Sequence, residues 1–177
     1  MSNLDLDICY LSASEALEKF KDKSLSPVEL LTETIKRTEE VNPKINAFNF
    51  FRFDEALEEA KKSELKYVKG DISLPLEGIP LAIKDEVNIK GQPNRNGSLI
   101  FKDTIAESTD IDVESLVNSG AIIHARATNP EFSLTSFCHS RVNGVTRNPW
   151  NVDMTPGGSS GGSAARLAAG CTTLAIG

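Results

Sequence analysis

Apolar residues in the first third of the chain recur at helical spacing, punctuated by polar caps. In "SASEALEKFKDK", Ser12 and Glu15 are spaced as a capping box, and the segment behind them reads as a short amphipathic helix. Ser26, Pro27 and Glu29 repeat the signature with a first-turn proline, ahead of "VELLTETIKRTEEV", where Leu30, Leu31, Ile35, Thr38 and Val41 fall near one face. Asn42-Pro43 predicts the end of this helix, because a residue before proline disfavours helical backbone. Asp54 to Ser63 reads as a third helix, with Ala56, Leu57 and Ala60 inward and Glu58, Glu59, Lys61 and Lys62 outward. Residues 1–70 are therefore expected to form a helical region.

From Leu76 the pattern changes to short apolar runs. "GIPLAIK" is bounded by Gly78 and Pro80 and is the length of a buried strand. Asp110 can cap "IDVESLVNSG", whose Val113, Leu116 and Val117 form an apolar stripe and whose Gly120 is a stop. "AIIHA" follows as another buried strand, and "SAARLAAG" with "CTTLAIG" reads as one more helix and strand. Strand, helix, strand in this order predicts an α/β fold with a largely parallel sheet and helices on both faces. Residues 71–177 are expected to begin that sheet core. The final run breaks off inside a buried strand without a polar tail, which suggests the N-terminal part of a single larger domain, with an open sheet edge prone to aggregation or homo-oligomerisation.

Composition narrows the class without naming a chemistry. With 177 residues, 40% hydrophobic and 25% charged, the chain is of globular type. A net charge of -6 leaves no basic stripe of the kind nucleic acid requires, so no nucleic-acid partner is expected. Cys9, Cys138 and Cys171 are odd in number and lack paired spacing, which favours reduced thiols over a disulfide framework or a zinc site. The acidic N-terminus has no apolar segment of signal length, and no run approaches the ~20 residues of a membrane span. A soluble cytoplasmic protein with no membrane association is expected.

The stretch "TPGGSSGGSAARLAAG" is short of side chains and needs a reason. A flexible linker is one reading, but Pro149 and Trp150 precede it and an apolar helix and strand follow. A phosphate loop would need GxxxxGK[ST], whereas here alanine heads the helix and Arg166 is the nearest cation. GxSxG matches twice, centred on Ser159 and on Ser160, yet a nucleophile elbow sits at a strand tip with its histidine downstream, and His124 and His139 both lie upstream. Neither histidine has ligand spacing, and both are read as structural. If serine chemistry operates here, its base is a lysine whose neutral amine is populated by burial. Lys84 closes "GIPLAI" at the end of a predicted strand, where α/β folds place their sites. It could equally mark the solvent end of that strand, and Asp85 and Glu86 beside it could hold it charged.

"LEGIPLAIKDEVNIKG", "TNPEFS", "NGVTRNPWN" and above all "TPGGSSGGSAA" together resemble the amidase signature family, in its order and approximate separations. The resemblance implies a mixed, mostly parallel sheet sandwiched by helices, and hydrolysis of carboxylic amides by a Ser, cis-Ser, Lys triad. Lys84 matches the lysine base, and Ser159 matches the bridging serine whose preceding peptide is cis. Gly157, Gly158 and Ser160 match the substrate- and oxyanion-side loop. A small-molecule amide substrate is implied, and no metal or organic cofactor is required. The stretch would lack side chains because backbone and hydroxyl must pack closely around the bridge.

The family's nucleophile lies about two dozen residues beyond the bridging serine, in a "DTGGS"-like turn, and the sequence ends before it. Ser160 and Ser163 match other positions of the motif. The chain is thus expected to hold two of three triad positions and to lack amidase activity as written. A non-catalytic remnant or binding module is the rival expectation. "PEFSLTSFCHSRVNGVTRNPWN" resembles general amidases more than the glutamyl-tRNA amidotransferase subunit, which makes an obligate partner protein the less favoured expectation.

Overall fold

The computed structural model describes residues 5–177; the start of the stretch read above for a targeting signal, residues 1–4, lies outside the described residues. A short helix α1 (Leu6–Cys9) is capped by the Asp5 carboxylate and leads into α2 (Ala13–Asp22). The Ser12/Glu15 and Ser26/Glu29 capping boxes both form, opening α2 and α3 (Pro27–Ile45). Helix α3 does not stop at Asn42-Pro43 but runs through Pro43 to Asn46, whose φ of 50° ends it. Proline here leaves only Lys44 and Ile45 of the helix beyond it, so the kink it imposes displaces little. The Asn42 side chain then accepts from the amides of Ala47 (2.8 Å) and Phe48 (3.1 Å), turning the chain into a strand.

That strand, β1 (Phe48–Phe51), falls inside the region read as helical. Helix α4 (Phe53–Lys69) extends beyond Ser63 to a left-handed Gly70. It is anchored by Tyr67, which is buried against Phe20 and donates its hydroxyl to the Glu77 carbonyl. The predicted buried strands form as β2 (Pro80–Lys84) and β3 (Ile122–Ala127), with α5 (Ile111–Asn118) between them. Two details of α5 differ from expectation. Asp110 does not cap it, because its carboxylate is taken by the amide and side chain of Asn88. Val117 stays 43% exposed, so the inward stripe narrows to Val113 and the partly buried Leu116. A two-strand ladder, β4 (His139–Ser140) with β5 (Gly144–Val145), precedes α6 (Gly161–Ala168) and β6 (Leu174–Ala175).

The main sheet has the order β1-β3-β2-β6. Strand β2 is parallel to both β3 and β6, and β1 is antiparallel to β3, so the sheet is mixed and mostly parallel. Alternation along β2 divides the core. Leu81 and Ile83 pack with Val113 and Ile123 on the α5 side, while Ala82 packs with Ile45, Phe48, Ala165 and Ala169 on the side of α3 and α6. Lys84 shares the parity of Ala82 and so turns toward α6. Among the described residues no helix is long and apolar enough to cross a membrane.

Candidate active site

The carboxyl end of β2 delivers Lys84 into the space before α6. Flanked by β3 and β6, the residue is only 2% exposed. Its Nζ lies 2.8 Å from Ser159 Oγ and 3.1 Å from Ser160 Oγ, and its third partner is Glu86 Oε1 at 2.8 Å. The structure thus brings Lys84, Ser159 and Ser160 together and answers which neighbouring acid meets the amine: Glu86 does. The buried Asp85 carboxyl is instead pushed up by desolvation, with Arg126 the main influence in the other direction.

The turn carrying the serines is shaped by its glycines. The Gly158–Ser159 peptide is cis. A Cβ on Gly158 would stand 2.7 Å from the Phe137 amide nitrogen and 2.8 Å from the Thr135 carbonyl oxygen. At Gly161 it would stand 2.5 Å from Cys138 Cβ, and at Gly162 it would overlap the Thr128 carbonyl oxygen. Gly157 differs: space is open around it, but its φ of 87° suits glycine, and its amide is taken by Thr155 Oγ1 at 3.2 Å. Ser160 occupies the N-cap of α6 yet makes no side-chain cap. Its hydroxyl is turned to Lys84 instead. Ser163 stands apart from this cluster, donating to the Ile176 carbonyl (2.7 Å) and accepting from Arg166 (3.1 Å).

Arg126 is the structural support that the sequence reading did not assign. Fully buried in β3, it donates through Nη2 to the carbonyls of Lys84, Asp85 and Val87, tying down the bend that follows the lysine. Burial pushes its guanidinium down to about 10. The available signal was an arginine between Ala125 and Ala127 in a strand predicted to be buried, since a buried guanidinium must find oxygen acceptors. Thr128 and Thr146 join hydroxyls at 2.6 Å and link β3 to the loop before the serine turn.

The two histidines lie outside the cluster. His124 is sealed beneath Phe48 and Phe53, with Nε2 3.0 Å from Thr172 Oγ1, and burial pushes it down to about 3. His139 is exposed and stacks on Phe137 at 4.8 Å. A cavity of about 520 Å3 opens among Arg52, Lys90, Gln92, Glu114 and Ile123, but its lining includes none of the predicted site residues. What the Lys84 cluster offers chemically is a hydrogen-bonded path between a nearly sealed amine and two hydroxyls, suited to moving a proton.

The Amidase family model matches residues 29–177. Among curated relatives, a glutamyl-tRNA(Gln) amidotransferase subunit of Methylacidiphilum infernorum is 41% identical over 167 residues, covering 94% of this chain and 32% of the relative. Indoleacetamide hydrolase of Bradyrhizobium diazoefficiens is 37% identical over 166 residues, covering 94% and 32%. Among solved structures, a bacterial aryl acylamidase of the amidase signature enzymes superposes with a TM-score of 0.87 at 30% identity, over 94% of this chain and 35% of that one. The chain spans about a third of the length of these relatives.

Proposed function

This chain belongs to the amidase signature family, and from that premise we propose that it carries the lysine and the bridging serine of an amide-hydrolysing site. Lys84 is the base and Ser159 the relay. The attacking group is a nucleophilic serine supplied by sequence that these 177 residues do not include, so the chain by itself is inactive and forms part of one larger amidase domain. The observation that carries the reading is the 2.8 Å contact between Lys84 Nζ and Ser159 Oγ, in surroundings that exclude water from the amine.

The reaction is covalent catalysis. The nucleophile attacks the carbonyl carbon of a small-molecule amide, its proton passes through Ser159 to Lys84, and the same path returns a proton to the leaving nitrogen. Water then cleaves the acyl-enzyme. The Gly157, Gly158 and Ser160 turn lies on the oxyanion side, where main-chain amides other than that of Gly157, which Thr155 Oγ1 already holds, stabilise the oxyanion alongside groups from further sequence. Three buried, unpaired cysteines fit a cytoplasmic setting.

The test is release of carboxylic acid from simple alkyl and aryl amides. The 177-residue chain is compared with the same chain continued by the remaining sequence of the indoleacetamide hydrolase, each with a Lys84→Ala control. Turnover only in the continued form, abolished by the substitution, is expected. Turnover that survives Lys84→Ala refutes the assignment. The 41% identity to a tRNA amidotransferase component supports a second reading, in which the full-length protein works in a complex. Partner chains that copurify stoichiometrically with the full-length protein distinguish the two.

A further inference from the structure

The three partners of the Lys84 amine differ in kind. A serine hydroxyl can donate or accept, whereas an ionised carboxylate only accepts. Whenever Lys84 offers its lone pair to a serine, one of its two hydrogens must go to Glu86 Oε1, 2.8 Å away, and the other to the serine that is keeping its proton. Ser159 Oγ at 2.8 Å and Ser160 Oγ at 3.1 Å are both within reach of the amine, and the relay role proposed above for Ser159 makes it the one that meets the lone pair.

The other charged groups at this strand end are engaged elsewhere. Arg126, from β3, is bound to main-chain carbonyls. Asp85 is buried and faces Arg126, Asn49, the Gly97 amide and Arg95. Among the described residues Glu86 is the acid paired with Lys84, and its side chain is 33% exposed where that of the lysine is 3% exposed.

We infer that Glu86 is a positioning residue for Lys84, standing to the amine as the acid of a serine–histidine–acid triad stands to its imidazole. The inference rests on the hydrolytic reading proposed above. When the amine accepts a proton, an O–H bond of Ser159 breaks and an N–H bond of Lys84 forms while Ser159 takes the nucleophile's proton in its place, and the new ammonium lies against a full negative charge. When the proton returns, the carboxylate keeps its hold on one remaining hydrogen and so preserves the direction of the lone pair.

The experiment uses the 177-residue chain with isotope-labelled lysine, and follows by magnetic resonance, at one fixed pH, the exchange of the Lys84 Nζ hydrogens with water and the position of the Nζ resonance. Glu86→Gln keeps an acceptor oxygen and removes the charge; Glu86→Leu removes both. Exchange is expected to rise by about tenfold or more in Glu86→Leu, the factor set by a lost charge-assisted hydrogen bond. Glu86→Gln is expected to restore most of the protection. In both variants the Lys84 Nζ resonance is expected to move from its parental position, because the carboxylate against the amine is gone.

Exchange and Nζ resonance unchanged in a Glu86→Leu chain with parental melting would overturn the inference. If Glu86→Leu does not fold, an unchanged Nζ resonance in Glu86→Gln overturns it alone. These readouts need no turnover, so they stand or fall separately from the hydrolytic reading, which fails if Lys84→Ala retains activity.

Discussion

The backbone of Gly162, in the first turn of α6, lies so close to Thr128 at the end of β3 that no side-chain carbon fits between them. Added methyl groups in tightly packed sites cost about 1–3 kcal/mol. Gly162→Ala is therefore expected to destabilise the chain by that amount, read as a lower urea midpoint, and to push α6, with the serine turn, away from Lys84. An unchanged midpoint would mean that the helix can shift without loss.

Proton transfer by a positioned side chain contributes about a hundredfold to ten-thousandfold to rate. In the continued polypeptide, Lys84→Ala and Ser159→Ala are each expected to cut kcat by at least that range, with little change in KM. Steady-state kinetics on a soluble amide check this. The double variant is expected to lose no more than either single one, because the two groups act as one path.

His124 makes stability fall in mild acid. Its ordinary value is 6.5, and in the folded chain burial, with Arg166 adding to it, lowers this to about 3. Between those values the unfolded chain binds a proton that the folded chain refuses, so stability is full above about pH 6.5 and declines as pH drops toward 3. The slope from this group approaches about 1.4 kcal/mol per pH unit. Denaturant melts at several pH values should show it, and His124→Asn should flatten it.

Asn42 satisfies two amides that are otherwise sealed in the core, those of Ala47 and Phe48. Leaving buried donors unpaired costs about 1–3 kcal/mol each. Asn42→Ala is expected to destabilise by at least that amount in thermal unfolding, and Asn42→Asp, which keeps an acceptor, to recover part of it.

How legible each element was in the sequence followed the range of the interactions that define it. The capping boxes at Ser12 and Ser26 are local, three residues from cap to acid, and stand in the structure as spaced. Strand β2 was readable because both its faces are buried, leaving a continuous apolar run. Strand β1 was not: "FNFF" has no clean alternation, and it is a strand because β3 lies beside it. Pro43 misled because the damage of a helical proline depends on how much helix must continue past it, and here only Lys44 and Ile45 do. At the candidate site, the residues of the serine turn were marked by motif, but the choice of Glu86 over Asp85 as the lysine's acid depends on how the chain bends after β2. That bend is fixed by Arg126, across the sheet.

The amine and the hydroxyl that meet at the candidate site are 75 positions apart in the chain. One rides on a central strand and the other on the entry to the sixth helix, so no isolated segment can reproduce their meeting. It requires both β2 in its place between β3 and β6 and α6 packed beside it. A half-assembled molecule therefore carries no such pair, and chemistry of this kind is withheld until the architecture around it is finished.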